Sequence, residues 1–170
     1  VKTKIAVLVS GGGTNLQALI DAQKSGILHS GEVVLVVSNR SDAFALERAQ
    51  KNGIPTAIVL KRELGSQENF EAVLLKLLRE NKIELIVLAG FMSILSESFV
   101  RAYPQRIINV HPSLIPSFCG KGFYGLRVHE AALNYGVKVT GATVHFVNEI
   151  PDGGKIIAQK AVEILPGDTP

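Results

Sequence analysis

The sequence predicts a doubly wound α/β fold, a mostly parallel sheet with an antiparallel pair near the C-terminus. Three observations predict it. Short runs rich in Val and Ile are apolar at every position, as strands covered on both faces require. Amphipathic helical patterns separate those runs. A glycine-rich loop follows the first run, the place where sheets of this kind meet ligands.

The elements follow in order. "KIAVLVS" (4–10), "EVVLVVSN" (32–39) and "ELIVLAG" (84–90) read as buried strands. A helix is predicted from about Asn15 to Ser25, with Leu16, Leu19 and Ile20 on one face and Gly26 as its stop. A second follows "RSD", where Ser41 or Asp42 can cap it, and ends near Gly53. A third begins near Ser66 and turns Phe70, Val73, Leu74, Leu77 and Leu78 inward at helical spacing. A short helix near 96–103 precedes the strand "RIINVH", and "GLRVHEAALNYG" forms the last helix. "VKVTGATVHFVNE" and "GGKIIAQKAVEIL" then read as two strands joined at "IPDGG", an antiparallel pair. No repeat, low-complexity stretch or linker interrupts the pattern. The 170 residues suit a single domain, 1–170, with one core.

Composition narrows the function classes. The chain is 46% hydrophobic and 19% charged, with a net charge of +3. Its cations are scattered and no aromatic residues interleave with a basic run, so nucleic acid is not the expected partner. A phosphorylated metabolite accounts for the balance. No run of eighteen apolar residues exists, so no membrane span is expected. The lone Cys119 excludes an internal disulfide and points to a reducing, cytoplasmic setting.

Chemistry-bearing residues gather at strand ends. "SGGGTN" (10–15) lies between a strand and a helix. Its glycines let backbone approach an anion closely, and the N–H groups at the helix start favour a phosphate. Gly12, Gly13, Thr14 and Asn15 are therefore candidate substrate-binding residues, although a tight turn without a ligand also fits. A dinucleotide site does not fit: Leu16 stands where a third glycine belongs, and Ser38 and Asn39 stand where a ribose-holding acid would. The Lys-Ser/Thr pair of a P-loop is missing too.

Asn109 and His111 are two apart on a predicted strand and share a face. A neutral amide donor suits an oxyanion, and an imidazole exchanges protons near neutrality. Together they suggest acyl-type transfer, or else a histidine that satisfies loop carbonyls beside a strand-capping Asn. Pro112 and Pro116 stiffen the turn that follows. Asp152, before two glycines, can pair with an imidazole or merely start its turn. His145 carries no catalytic assignment, and no cluster has metal-ligand spacing.

Taken together, "VSGGGTNLQALI", "AGFMSILS", "INVHPSLIPSFCG" and "GATVHFVNEIPDGGKIIAQ" resemble the folate-dependent glycinamide ribonucleotide formyltransferases of purine biosynthesis. The resemblance covers nearly the whole chain in the same order. It implies a Rossmann-like formyltransferase fold and formyl transfer from 10-formyltetrahydrofolate to the amine of glycinamide ribonucleotide. In that reading Asn109, His111 and Asp152 are the catalytic trio, and residues 12–15 hold the ribonucleotide phosphate. Gln67, Met92, Ser93, Ile94, Leu95, Val100, Ile107, Asn109 and Asn148 contact the folate. No metal is implied, the partners are the two small-molecule substrates, and the protein is a monomer or homodimer. The resemblance leaves formyltetrahydrofolate deformylase and a non-catalytic nucleotide-binding module as alternatives. Three departures stand out. Relatives often carry a basic residue where Ser93 sits, and some have Arg at Gln67. The family also continues beyond "PGDTP" into a C-terminal helix with a ribose-contacting Glu, so this chain is expected to be the domain without that helix.

Overall fold

The structure, a computed structural model, describes residues 1–170. Seven strands and six helices follow one another, and the chain divides into two compact units, Val1–Ile107 and Ile108–Pro170.

The first unit is the parallel part. Strands β1 (Thr3–Val9), β2 (Gly31–Ser38), β3 (Thr56–Ile58) and β4 (Leu85–Leu88) lie in the order β3-β2-β1-β4. All three pairings are parallel, and Val7 faces Val36 on one side and Val87 on the other. Central β1 is buried from Ile5 through Val9, which explains why its sequence is apolar at every position. Helices α1 (Thr14–Lys24), α2 (Phe44–Lys51) and α4 (Gln67–Glu80) supply the crossovers. Leu16 and Ile20 of α1, and Phe70, Leu74 and Leu78 of α4, are almost completely buried.

Local details depart from the sequence reading. Val73 of α4 is exposed, while Glu71, next to Phe70 in the chain, is buried. The inward stripe of α4 thus contains a carboxylate where an all-apolar face was expected. Helix α2 has no side-chain cap; Asp42 instead takes a two-pronged bond from Arg40, Nε to Oδ1 at 2.9 Å and Nη2 to Oδ2 at 2.7 Å. A four-residue helix, α3 (Lys61–Leu64), was not foreseen. Ser66 caps α4 as expected, accepting from the Asn69 N–H at 3.0 Å.

The buried Glu71 organises the segment after β4. Its Oε1 accepts the Ser96 N–H at 2.7 Å and a proton of the Gln67 amide at 2.6 Å, and its Oε2 accepts the Ser96 hydroxyl. Ser96 in turn caps α5 (Glu97–Ala102) by accepting from the Phe99 N–H. One carboxylate therefore ties α4 to the start of α5.

The second unit is antiparallel. Strand β5 (Ile107–His111), which begins on the last residue of the first unit, pairs with β6 (Val139–Phe146). Strand β6 pairs with β7 (Ile156–Glu163), and helix α6 (Leu126–Tyr135) precedes β6. The expected antiparallel pair is present, and parallel pairings outnumber antiparallel ones. No helix is long and apolar enough to cross a membrane.

Glu71→Ala strands a half-buried N–H and a hydroxyl at Ser96. It is expected to destabilise the protein by about 2–3 kcal/mol, read as a lower urea midpoint at unchanged slope.

Candidate active site

In the first unit, the carboxyl ends of the parallel strands are laced by side chains. The buried Ser10 hydroxyl donates to Asn39 Oδ1 at 2.6 Å and accepts the Met92 N–H at 2.7 Å. Asn39 Nδ2 donates to the Ser93 hydroxyl at 2.8 Å. Asn39 thus stands where a dinucleotide-binding sheet would carry an acid, and the reason is visible: an amide can accept from one hydroxyl and donate to another, which a carboxylate cannot.

The glycine-rich loop is pinned from α2. Arg48 Nε donates to the Gly12 carbonyl at 2.8 Å, and the Ala45 N–H donates to the Gly11 carbonyl at 3.0 Å. Gly13 is the residue the geometry demands. Its φ is 75°, and a Cβ there would lie 2.6 Å from Ala45 Cβ and 2.8 Å from Ala45 Cα. Gly11 and Gly12 meet no such crowding. Gly13 also occupies the N-cap of α1, which no side chain caps. The first-turn N–H groups there carry the positive end of the helix dipole, with no acidic residue in that turn. Thr14 and Asn15 are exposed on the same turn.

The proposed folate-facing residues fall into two sets. Met92 and Ile94 are exposed at 54% and 75%, presenting apolar surface beside Ser93. Leu95 and Ile107 are buried in the core and Val100 is half-buried. The Gln67 amide is already engaged, donating to Glu71 and to the Ile94 carbonyl at 3.1 Å.

In the second unit, β5 and β6 bring four groups together. Asn109 faces His145 and His111 faces Thr143 across the antiparallel pair, so all four share one face of the sheet. Asn109 Nδ2 lies 3.2 Å from His145 Nε2. The Asp152 carboxylate lies between two imidazoles: Oδ2 is 3.5 Å from His111 Nδ1, and Oδ1 is 3.6 Å from His145 Nε2. Oδ2 also accepts the Gly120 N–H at 2.8 Å. His111 Nε2 lies 2.9 Å from the Phe118 carbonyl. His111 Nε2–H thus donates to the Phe118 carbonyl, while Nδ1 faces the Asp152 carboxylate.

The backbone around Asp152 is as constrained as its side chain. Its φ is 54°, a left-handed conformation that Asp tolerates better than most residues. A Cβ on Gly154 would come within 1.6 Å of the Phe146 carbonyl oxygen, so the chain can pass there only as glycine. Asn148 closes the same loop, its Oδ1 accepting the Ile150 N–H at 3.0 Å. On the other side, Thr143 donates to the Ser113 carbonyl at 2.7 Å and accepts from the Ile115 N–H at 3.1 Å. These bonds fix the turn after His111.

His145 was missed in the sequence. It is 2% exposed, and its Nδ1 lies 2.8 Å from the Phe146 carbonyl. Burial pushes its pKa down, but the Asp152 bond, the Phe146 carbonyl and the Asp152 charge outweigh that and raise it. The Asp152 carboxyl is pushed up by burial and down by His145, the Gly120 N–H and the charge of His111; the net direction is down. Cys119 lies close by, and burial followed by the Asp152 charge raises its thiol pKa, which disfavours a thiolate. No group of three or more potential metal ligands is present.

Comparison with known proteins identifies the family. The formyl transferase family profile matches residues 3–170. The chain is 47% identical over 168 residues to the chicken trifunctional purine biosynthetic protein adenosine-3, covering 99% of this chain and 16% of that protein. It is 40% identical over 170 residues to the chloroplastic phosphoribosylglycinamide formyltransferase of Arabidopsis thaliana, covering 99% of this chain and 58% of that one. Thus it spans only part of the length of the curated relatives it matches. Among solved structures, glycinamide ribonucleotide transformylase 1 from Symbiobacterium toebii superposes with a TM-score of 0.91 at 42% identity, over 99% of this chain and 76% of that one. A formyltetrahydrofolate deformylase from Pseudomonas syringae is more distant, with a TM-score of 0.85 at 28% identity, over 99% of this chain and 54% of that one. The chain belongs to the formyl transferase family, as its motifs implied.

Two outcomes test the site's construction. Gly13→Ala is expected to cost about 1–3 kcal/mol by chemical denaturation, whereas Gly12→Ala leaves the midpoint nearly unchanged. The His145–Asp152 pair also sets a pH window. A raised histidine contributes stability that is complete below its ordinary 6.5 and is lost as pH rises through the folded value. A lowered aspartate contributes stability present above its ordinary 3.8 and lost as pH falls through the folded value. The difference in melting temperature between the protein and Asp152→Asn should therefore be largest between those two pH values and shrink on both sides; a pH-independent difference rules out the pairing.

Proposed function

We propose that this chain is a single formyltransferase domain that transfers the formyl group of 10-formyltetrahydrofolate to the amine of glycinamide ribonucleotide. The observation that carries the proposal is the shared face of Asn109 and His111 with a buried carboxylate at ion-pair distance from His111. That arrangement sets a neutral donor and an imidazole beside a carboxylate, which suits a developing oxyanion.

The roles follow from the geometry. Asn109 donates its amide N–H to the oxyanion formed when the amine attacks the formyl carbon. His111, doubly protonated between Asp152 and the Phe118 carbonyl, supplies positive charge beside it. Asp152 holds that charge in place and helps pass the amine's proton through water to N10 of the folate, as the bond from the formyl carbon to N10 breaks and tetrahydrofolate leaves. His145 positions Asn109. With Nδ1–H given to the Phe146 carbonyl, a neutral His145 accepts at Nε2 from the Asn109 amide. A proton on Nε2 points that nitrogen at Asp152 instead and leaves both amide protons of Asn109 for substrate.

Gly12, Gly13, Thr14 and Asn15 bind the ribonucleotide phosphate through the uncapped start of α1, so remote binding energy orients the amine. The exposed apolar pair Met92 and Ile94, backed by Leu95, Val100 and Ile107, gives the folate ring a surface to lie on. Asn148, in the loop that leads to Asp152, is a polar group for the folate. An aqueous, reducing compartment such as the cytoplasm suits the free thiol of Cys119.

Asn109→Ala and His111→Ala are each expected to lower formyl transfer by at least about a hundredfold while the melting curve remains cooperative; turnover at the original rate removes that residue from the catalytic group. The same assay without glycinamide ribonucleotide separates the alternatives. Formate release in its absence identifies a hydrolase, and nucleotide binding without turnover identifies a sensor.

A further inference from the structure

The segment between β5 and α6 does more than connect them. Two of its backbone groups, two residues apart, meet the ionisable pair of the second unit. The Phe118 carbonyl lies 2.9 Å from His111 Nε2, and the Gly120 N–H donates to Asp152 Oδ2 at 2.8 Å. An acceptor thus meets the imidazole and a donor meets the carboxylate, each on the side away from the other.

Phe118 holds its carbonyl there in an unusual conformation. Its φ is 49°, a left-handed backbone that is disfavoured for a residue with a bulky side chain. Such a conformation persists only where the surroundings over-determine it. Here the ring supplies the restraint. It packs edge-on against Phe123, with centroids 6.3 Å apart and planes at 62°, and against Tyr135, with centroids 6.0 Å apart and planes at 73°. Aromatic pairs favour that geometry. Phe123 is brought back over the turn by its N–H, which donates to the Gly120 carbonyl at 3.1 Å. Tyr135 is the last residue of α6. On the approach, the Ser113 hydroxyl donates to the Ser117 carbonyl at 2.6 Å. With the chain held up to Ser117, a return of Phe118 to negative φ swings ring and carbonyl together, out of the aromatic contacts and away from His111.

We propose that Phe118 is a positioning residue for His111. Its ring, held by Phe123 and Tyr135, keeps the backbone left-handed and the carbonyl on Nε2, which leaves Nδ1 turned to Asp152. This assignment rests on the catalytic reading of His111 and adds the part that orients it. Phe118 acts only through that imidazole.

The His111 ring in the free protein gives the first readout. A proton held on a carbonyl exchanges slowly with water, so histidine labelled with nitrogen-15 is expected to show a downfield Nε2 ring N–H resonance, assigned by its loss in His111→Gln. Phe118→Tyr keeps an aromatic ring and is expected to keep the resonance. Phe118→Ala removes the ring and leaves the left-handed strain. Its resonance is expected to broaden away, and kcat for formyl transfer to fall by roughly ten- to a hundredfold with KM for both substrates little changed. Glycine adopts a φ of 49° without strain, so Phe118→Gly is expected to recover part of what Phe118→Ala loses. Tyr135→Ala removes one wall of the clamp at a residue that is 81% exposed, which keeps the test independent of core stability; it is expected to broaden the same resonance by less. A resonance absent from the unaltered protein overturns the proposal. So does one that persists in both Phe118→Ala and Tyr135→Ala, an equal loss in Phe118→Ala and Phe118→Gly, or a loss confined to KM. A lowered melting temperature with the resonance and kcat intact overturns it too, because it leaves Phe118 only a packing role. Because the resonance is read without turnover, absence of formyl transfer to glycinamide ribonucleotide counts against the function above and leaves the Phe118–His111 assignment to its own result.

Discussion

The second unit is arranged around the burial of one carboxylate. Asp152 is taken largely out of water, where an ionised group is stable only with partners on several sides. Gly120 supplies a backbone N–H, and His111 and His145 face the two oxygens. Each partner imposes a condition elsewhere. His145 reaches Asp152 only if β6 pairs with β5 in the observed register, because a slip of one residue would turn it to the opposite face. The loop delivers Asp152 only if the chain passes the Phe146 carbonyl without a side chain, as Gly154 does. Gly120 presents its N–H only where the turn after Pro116 carries the chain back toward β6. The bonds from Thr143 to Ser113 and Ile115 hold that turn. A single electrostatic requirement thus accounts for a strand register, a glycine and a turn.

The first unit meets a different requirement with neutral groups. Its strand ends must hold a loop open at the start of α1 without occupying the N–H groups there. Ser10, Asn39 and Ser93 bond to one another across the ends of β1 and β2 and the segment after β4. Arg48 and the Ala45 N–H take the outward carbonyls of the glycine loop. Glu71 does the corresponding work behind the apolar segment, using a charge where burial is deep and every partner is a donor. The result is a rigid frame whose exposed polar groups are the backbone donors at the head of a helix.

How far the sequence foretold this depends on the range of each interaction. Strands β1, β2 and β4 were legible because burial on both faces writes itself as an unbroken apolar run. Helix α4 was legible from its spacing, though Val73 and Glu71 exchange the environments their chemistry suggests: a bonded carboxylate satisfies the core where Ser96 needs an acceptor. Helix α3 was missed because four residues hold too little periodicity to register. Asn109 and His111 announced a shared face through a spacing of two. The meaning of His145 depended on which β5 residue it would oppose, and register is a tertiary fact. Arg48 gave no sign at all, since its role is set by how α2 packs on the glycine loop. At Gln67 the sequence pointed to a ligand contact, whereas the amide nitrogen is already donating to two acceptors within the protein.

The pairing of His145 with Asn109 also bears on why a histidine stands there instead of a simpler donor. A permanent donor at position 145 would fix the Asn109 amide in one orientation. A permanent acceptor would hold one of its protons inward. Histidine can be either. Burial alone would keep it neutral and hold an Asn109 proton, but Asp152 reverses that preference and raises the pKa. The carboxylate that faces His111 thereby biases His145 toward the state in which Asn109 has both protons to offer. Asp152 thus faces both the ring that pairs with Asn109 and the ring of His111. In the proposed reaction Asn109 and His111 act on the same oxyanion, so one carboxylate, through its two imidazole neighbours, orients both groups that the transition state uses.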